Sequence, residues 1–167
     1  VDYILSRSGN LEIVSLARKL GALNDTMLSR FKDELEQALK EAKQDDLFVY
    51  ETFKHNILAL LPFAYPKDGE TFEIEGTSYR IEKMELTPDW FSSPIPAYAL
   101  TAQGKDPIFC FIGSTYREGF IATWLSDCTP LLSVGRLASR STAVKRWFER
   151  HENVTVVGTS LGGALAL

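Results

Sequence analysis

One short segment constrains this chain more than any other. Val154-Thr155-Val156-Val157 is a buried-strand pattern, and it runs without a linker into Gly158-Thr159-Ser160-Leu161-Gly162 and then Gly163-Ala164-Leu165-Ala166-Leu167. An apolar strand, a Gly-x-Ser-x-Gly turn and a helix of small residues form the sharp strand-to-helix bend that holds a serine exposed over the edge of a sheet. Gly158 and Gly162 carry no side chains, so the strand and helix backbones can approach around the bend, and Gly163 and Ala164 keep that approach close. The pattern therefore predicts a helix beginning at Ser160. Its free N–H groups and positive dipole end favour an oxyanion.

The residues upstream supply a frame for that bend. Arg136 to Arg150 is amphipathic, with Leu137, Val144 and Phe148 on one face, and it precedes the strand, so helix, strand and helix follow one another as in a parallel α/β sheet. Ile108-Phe109-Cys110-Phe111-Ile112 lacks alternation, as expected of a strand buried on both faces. With Ala97 to Thr101 it flanks Gln103-Gly104-Lys105-Asp106, the signature of an antiparallel pair. Phe72-Glu73-Ile74-Glu75, a Gly76-Thr77 turn and Tyr79-Arg80-Ile81-Glu82 predict a hairpin before it.

The first 66 residues are helical in period. Asn10 can cap a helix carrying Val14, Ala17 and Leu20, with Gly21 closing it. Asn24 or Asp25 starts a second, whose stripe of Met27, Leu28, Phe31, Leu35, Ala38, Leu39 and Ala42 lies opposite Lys32, Glu36, Lys40 and Lys43 and is expected to pack in the core. A third runs from Leu47 to Leu61, ended by Pro62 and Pro66. The expected organisation is a helical region over 1–66, then the first half of an α/β domain over 67–167. At 167 residues and 45% hydrophobic, one globular core is the default.

Val154 to Leu167 resembles the nucleophile segment of the class 3 lipase family, which includes fungal triacylglycerol lipases. A second stretch agrees: that family has an apolar strand ending in Phe-Arg-Gly-Thr/Ser and, further on, Trp-(Ile/Leu)-x-Asp. Here stand Phe111-Ile112-Gly113-Ser114 and Trp124-Leu125-Ser126-Asp127. Ile112 occupies the place of the family's arginine, and Thr159 that of a common histidine. The likeness covers roughly Ala97 to Leu167. It implies an α/β-hydrolase fold, a sheet with helices on both faces, and ester hydrolysis through an acyl-enzyme. Ser160 would be the catalytic nucleophile, and the backbone N–H of Leu161 and the N–H and hydroxyl of Ser114 would be the oxyanion hole. Tyr116, Phe120, Ile121 and Trp124, with Leu125, fall on one helical face and form a lid candidate, the alternative being a connector helix packed on the sheet.

In this fold the acid and the histidine of the triad follow the nucleophile, and seven residues follow Ser160 here. His151 precedes the strand that delivers Ser160, so it is expected at the opposite sheet edge and is excluded as the base. His55 lies in the helical half. The expectation is that an Asp or Glu and a His come from sequence beyond residue 167, and that this stretch alone is inactive. Leaving the outer edge of the 154–157 strand unpaired would expose a template for aggregation, which makes the remaining half of the protein an expected partner.

Charge narrows the other partners. A net charge of −4 with mixed-sign segments argues against nucleic acid. Lipid or ester substrate and a micelle or membrane interface are the expected partners, and Arg136, Arg140, Lys145, Arg146 and Arg150 form either an anionic-membrane contact or a solvated helix face. Cys110 and Cys128 have no metal-ligand spacing and read as buried thiols. No metal or organic cofactor is implied. The first ten residues lack a signal-peptide pattern, and no stretch reaches the roughly 18 apolar residues of a spanning helix. The competing functional class is a non-catalytic module that uses an α/β-hydrolase scaffold to bind lipid or protein.

Overall fold

The computed structural model describes residues 3, 4, 7, 20–21, 24–74, 76–86, 95–113 and 141–159. The chain divides into two compact units, Val1–Tyr65 and Pro66–Leu167.

In the first unit, capping side chains fix the helix boundaries. Helix α1, Asp25–Asp45, starts where the Asn24 side-chain Oδ1 accepts the Met27 N–H at 2.9 Å. Asp25 in its first turn and Lys43 in its last match the helix dipole, and Arg30–Glu34 and Gln37–Glu41 pair along its surface at 2.8 Å each. Asp46 then serves two helices. Its extended backbone (φ −153°, ψ 112°) stops α1 while its carboxylate accepts the N–H groups of Phe48 at 2.8 Å and Val49 at 3.3 Å, which starts helix α2, Leu47–Leu58. A 3-10 turn over Leu61–Ala64 follows, with Pro62 in its first positions, and Tyr65 at φ +47° ends the unit. The Leu20–Gly21 turn has Gly21 at φ +69°, a left-handed conformation that glycine adopts without steric cost. The helix expected from Asn10 lies largely outside the described residues.

The apolar stripe of α1 is not core, contrary to its pattern. No residue of α1 is buried, and Met27 and Phe31 are 50% and 52% exposed. Leu28, Leu35, Leu39 and Ala42 of the stripe are half-buried, and among the described helices α2 packs on α1. Among the described residues of this unit, Ile4, Tyr50, Ile57, Leu58, Ala59, Leu61, Pro62 and Ala64 are buried.

The second unit is a mixed five-stranded sheet in the order β1-β2-β3-β4-β5, with β1 Thr71–Ile74, β2 Thr77–Leu86, β3 Ile95–Thr101, β4 Ile108–Phe111 and β5 Thr155–Gly158. The first four strands pair antiparallel and β5 runs parallel to β4. Helices with such a sheet place the chain in the general α/β class. The β1–β2 turn comes one residue earlier than its sequence suggests, because Thr77 already pairs with Ile74 and Gly76 takes φ +75°. Gly104, at φ +70°, turns β3 into β4.

Both faces of β3 and β4 are buried, as the unbroken apolar run in β4 predicts. Helix α3, Thr142–Arg150, covers one face, and Ser141 sets where it begins. The Ser141 hydroxyl donates to the Glu85 carbonyl at 3.0 Å and accepts the Val144 N–H at 3.4 Å, so one side chain caps α3 and ties it to β2. The helix thus starts at Thr142, not at Arg136, and buries Val144 and Trp147, with Phe148 only half-buried. Trp147, fully buried, packs against Phe109 of β4 with ring centroids 5.1 Å apart. Phe109 pairs with Ala99 and Phe111 with Ala97, so two alanines of β3 share the face that receives the indole. β2 shows where that cover stops: Met84 and Leu86 are buried on the α3 side, whereas Tyr79 and Ile81 are buried on the other.

Of the helices expected on both faces, α3 on one face is the one described. Among the described residues no helix is long and apolar enough to cross a membrane. Trp147→Ala is expected to destabilise the sheet unit by about 3–5 kcal/mol in urea denaturation, and Phe148→Ala by clearly less. Equal effects would contradict the burial assigned to Trp147.

Candidate active site

The ends of β4 and β5 define the site. The two strands run side by side in the same direction, with Ile108 beside Thr155, Phe109 beside Val156, Cys110 beside Val157 and Phe111 beside Gly158. The Thr155 N–H also donates to the Pro107 carbonyl at 2.9 Å, which anchors the start of the pair. A parallel pair needs a crossover connection, and here residues 112–154 provide it, with α3 as its described helix. Both strands therefore finish at the same edge of the sheet, and in open α/β sheets ligands bind outside the carboxyl ends of the strands.

Ser114 comes three residues after Phe111, and Ser160 two after Gly158. Ile112 and Gly113 are buried as they leave β4, and Thr159 is half-buried as it leaves β5. Ser160, Ser114 and Leu161 themselves lie outside the described residues, as do Tyr116, Phe120, Ile121 and Trp124. What the structure brings together is the pair of backbones that lead to the two serines.

β5 differs from its expected setting. It spans Thr155–Gly158, one residue later than its sequence suggests, only Val157 is buried, and among the described residues no strand pairs with its outer edge. Cys110, beside Val157 in the register, is a free and buried thiol whose pKa burial pushes well above its usual range, so it is inert as a nucleophile. Cys128 lies outside the described residues.

His151 caps the C-terminus of α3, with its Nδ1 2.8 Å from the Trp147 carbonyl and its ring stacked on the Trp147 indole at 4.2 Å. It precedes β5 and so stands at the end of that strand away from Gly158. Trp147 is the residue that the sequence pattern missed. It follows Val144 by three and carries both the packing on Phe109 and the seat of His151, a signal present in the i, i+3 spacing.

The basic run on α3 is exposed at Lys145, Arg146 and Arg150, but Glu82 and Glu149 line the same shallow cleft as Arg146 and Arg150. That mixture is a solvated charged face rather than a uniform cationic one. Arg136 and Arg140 lie outside the described residues. No protein-family model, curated protein or solved structure matches this chain.

His55 belongs to α2 of the helical unit, with Nε2 3.9 Å from a Glu51 carboxylate oxygen. Burial holds its imidazole below the usual pKa, the adjacent Lys54 ammonium adds to the effect, and Glu51 opposes it. The folded state therefore binds a proton less readily than the unfolded chain. Stability contributed by the neutral ring is present above the unfolded pKa of about 6.5 and is lost as pH falls through it, until the folded pKa is passed. The urea midpoint is expected to drop between pH 7.5 and 5, and His55→Gln to reduce that drop. An unchanged pH profile in the variant would contradict the assignment.

Proposed function

We propose that this chain carries the nucleophile of a serine ester hydrolase of the α/β-hydrolase type, acting on lipid or other carboxyl esters. The observation that supports this most is the parallel pairing of β4 and β5, with Phe111 beside Gly158. It brings Gly113 and Thr159, the residues before Ser114 and Ser160 in the sequence, off the sheet at a common end, as a nucleophile and an oxyanion hole contributed by two different turns would require.

In this reading the Ser160 hydroxyl attacks the ester carbonyl carbon while its proton passes to a general base. The carbonyl oxygen takes up the negative charge and accepts hydrogen bonds from the Leu161 and Ser114 N–H groups. Collapse of the tetrahedral intermediate breaks the bond to the alkoxy group, which leaves as alcohol with the proton from the base. Water then cleaves the acyl-enzyme by the same route and returns the Ser160 hydroxyl. General-base chemistry needs an imidazole within hydrogen-bond reach of Ser160, and this reading asks for one other than His151. Tyr116, Phe120, Ile121 and Trp124 would gate the approach of an acyl chain from a micelle or membrane interface. No metal or organic cofactor enters this chemistry.

A fluorophosphonate probe applied to the full-length natural protein is expected to label Ser160, and Ser160→Ala to abolish the labelling. A folded protein that resists the probe would favour the rival reading, a scaffold that binds lipid or protein without catalysis.

A further inference from the structure

The bond between Ser141 and Glu85 lies at the end of the sheet where β4 and β5 finish. Glu85 stands opposite Pro96 in the register, next to Ala97, which stands opposite Phe111, and Phe111 is beside Gly158. Helix α3 therefore starts at the same end of the sheet as the candidate site. We propose that Ser141 is a positioning residue for the nucleophile turn: by fixing the start of α3 on β2, it sets where the end of β5, and with it Ser160, is held. The part that concerns Ser160 rests on the hydrolase reading, and the part that concerns β5 does not.

Three observations carry this. Ser141 is 6% exposed and, among the described residues, is the one buried side chain that is neither apolar nor aromatic. Its hydroxyl fills a place that β1 does not reach. On the β1 side of β2, the Ile81 N–H donates to the Glu70 carbonyl at 2.8 Å, the Ile81 carbonyl accepts the Gly69 N–H at 2.9 Å, and the Lys83 N–H donates to the Asp68 carboxylate at 2.8 Å. Backbone groups of alternate residues face the same side, so Glu85 points there too, and among the described residues the Ser141 hydroxyl meets its carbonyl. The second observation is that α3 is a short lever with another fixed point, Trp147 on Phe109 of β4, and that residues 151–154 alone join it to β5. The third is that β5 has little hold of its own. It is 4 residues long, Val157 is its one buried residue, and β4 is its one partner among the described strands. Without the tie at Ser141, the Trp147 contact becomes a pivot, and a swing at the start of α3 passes through its other end to β5.

Amide hydrogen exchange in the full-length protein tests the anchor, with Ser141→Ala as the variant. The Thr155 N–H, which donates to the Pro107 carbonyl, and the Val157 N–H, which faces the same way two residues on, are expected to exchange about tenfold faster, with the Ile81 N–H far less affected. Fluorophosphonate labelling of Ser160 is expected to slow about tenfold in the same variant. Ser141→Thr keeps the hydroxyl and is expected to restore both. Should the alanine variant fail to fold, Ser141→Gly, a gentler change at a helix cap, is expected to show the same pattern. Unchanged exchange at Thr155 and Val157 would overturn the proposal, and so would an equal rise at Ile81, which is what a cap that merely stabilises the unit would give. Faster exchange with unchanged labelling would overturn the positioning of Ser160. A natural protein that takes up no probe would sink the hydrolase reading, while the exchange measurement would still decide the anchor.

Discussion

The parallel alignment of β4 with β5 is the constraint on which the functional account depends. The antiparallel strands can be organised by local turns, as Gly76 and Gly104 show by adopting φ near +70° where β1 meets β2 and β3 meets β4. The β4–β5 pair has no such local device. Its register, Phe111 against Gly158, must be held across an intervening connection of more than forty residues, 112–154, by packing. Phe109 supplies the point of attachment: it lies in β4, beside Val156 of β5, and meets the Trp147 ring of the helix that leads into β5. Ser141 fixes the other end of that helix to the Glu85 carbonyl of β2. An apolar contact and a cap thus aim the chain at Gly158.

Much of this was legible in the residues because each element carried its own period. The apolar run at Ile108–Phe111 announced a strand buried on both faces, and Gly104 and Gly76 marked the two hairpins. Helix α1 begins at the cap that Asn24 suggests. The misses have physical causes. Boundaries slipped where a side-chain hydrogen bond decided them, as at Ser141, or where backbone pairing continued into the turn, as at Thr77. The stripe of α1 stays outside the buried core because amphipathicity reports that a face is apolar, not how deeply it is covered.

The candidate site divides along the same line. Gly158 and Gly113, which the motifs require at the ends of adjacent strands, emerge from β5 and β4 at one edge, and the sequence order alone could not have said that these strands are neighbours. The position of His151, by contrast, followed from strand geometry, since a residue before β5 is separated from Gly158 by the length of the strand. The reactive groups, Ser160 with Ser114 and Leu161, belong to the functional proposal, and their chemistry rests on the motif and on where these two strands end.

The most direct measurement of the central claim is the pattern of nuclear Overhauser effects between the backbones of β4 and β5 in the isotopically labelled protein. The account predicts inter-strand N–H to Hα contacts that advance in the same direction along both strands and place Phe111 beside Gly158. Contacts that advance in opposite directions, or their absence between these two segments, would contradict it.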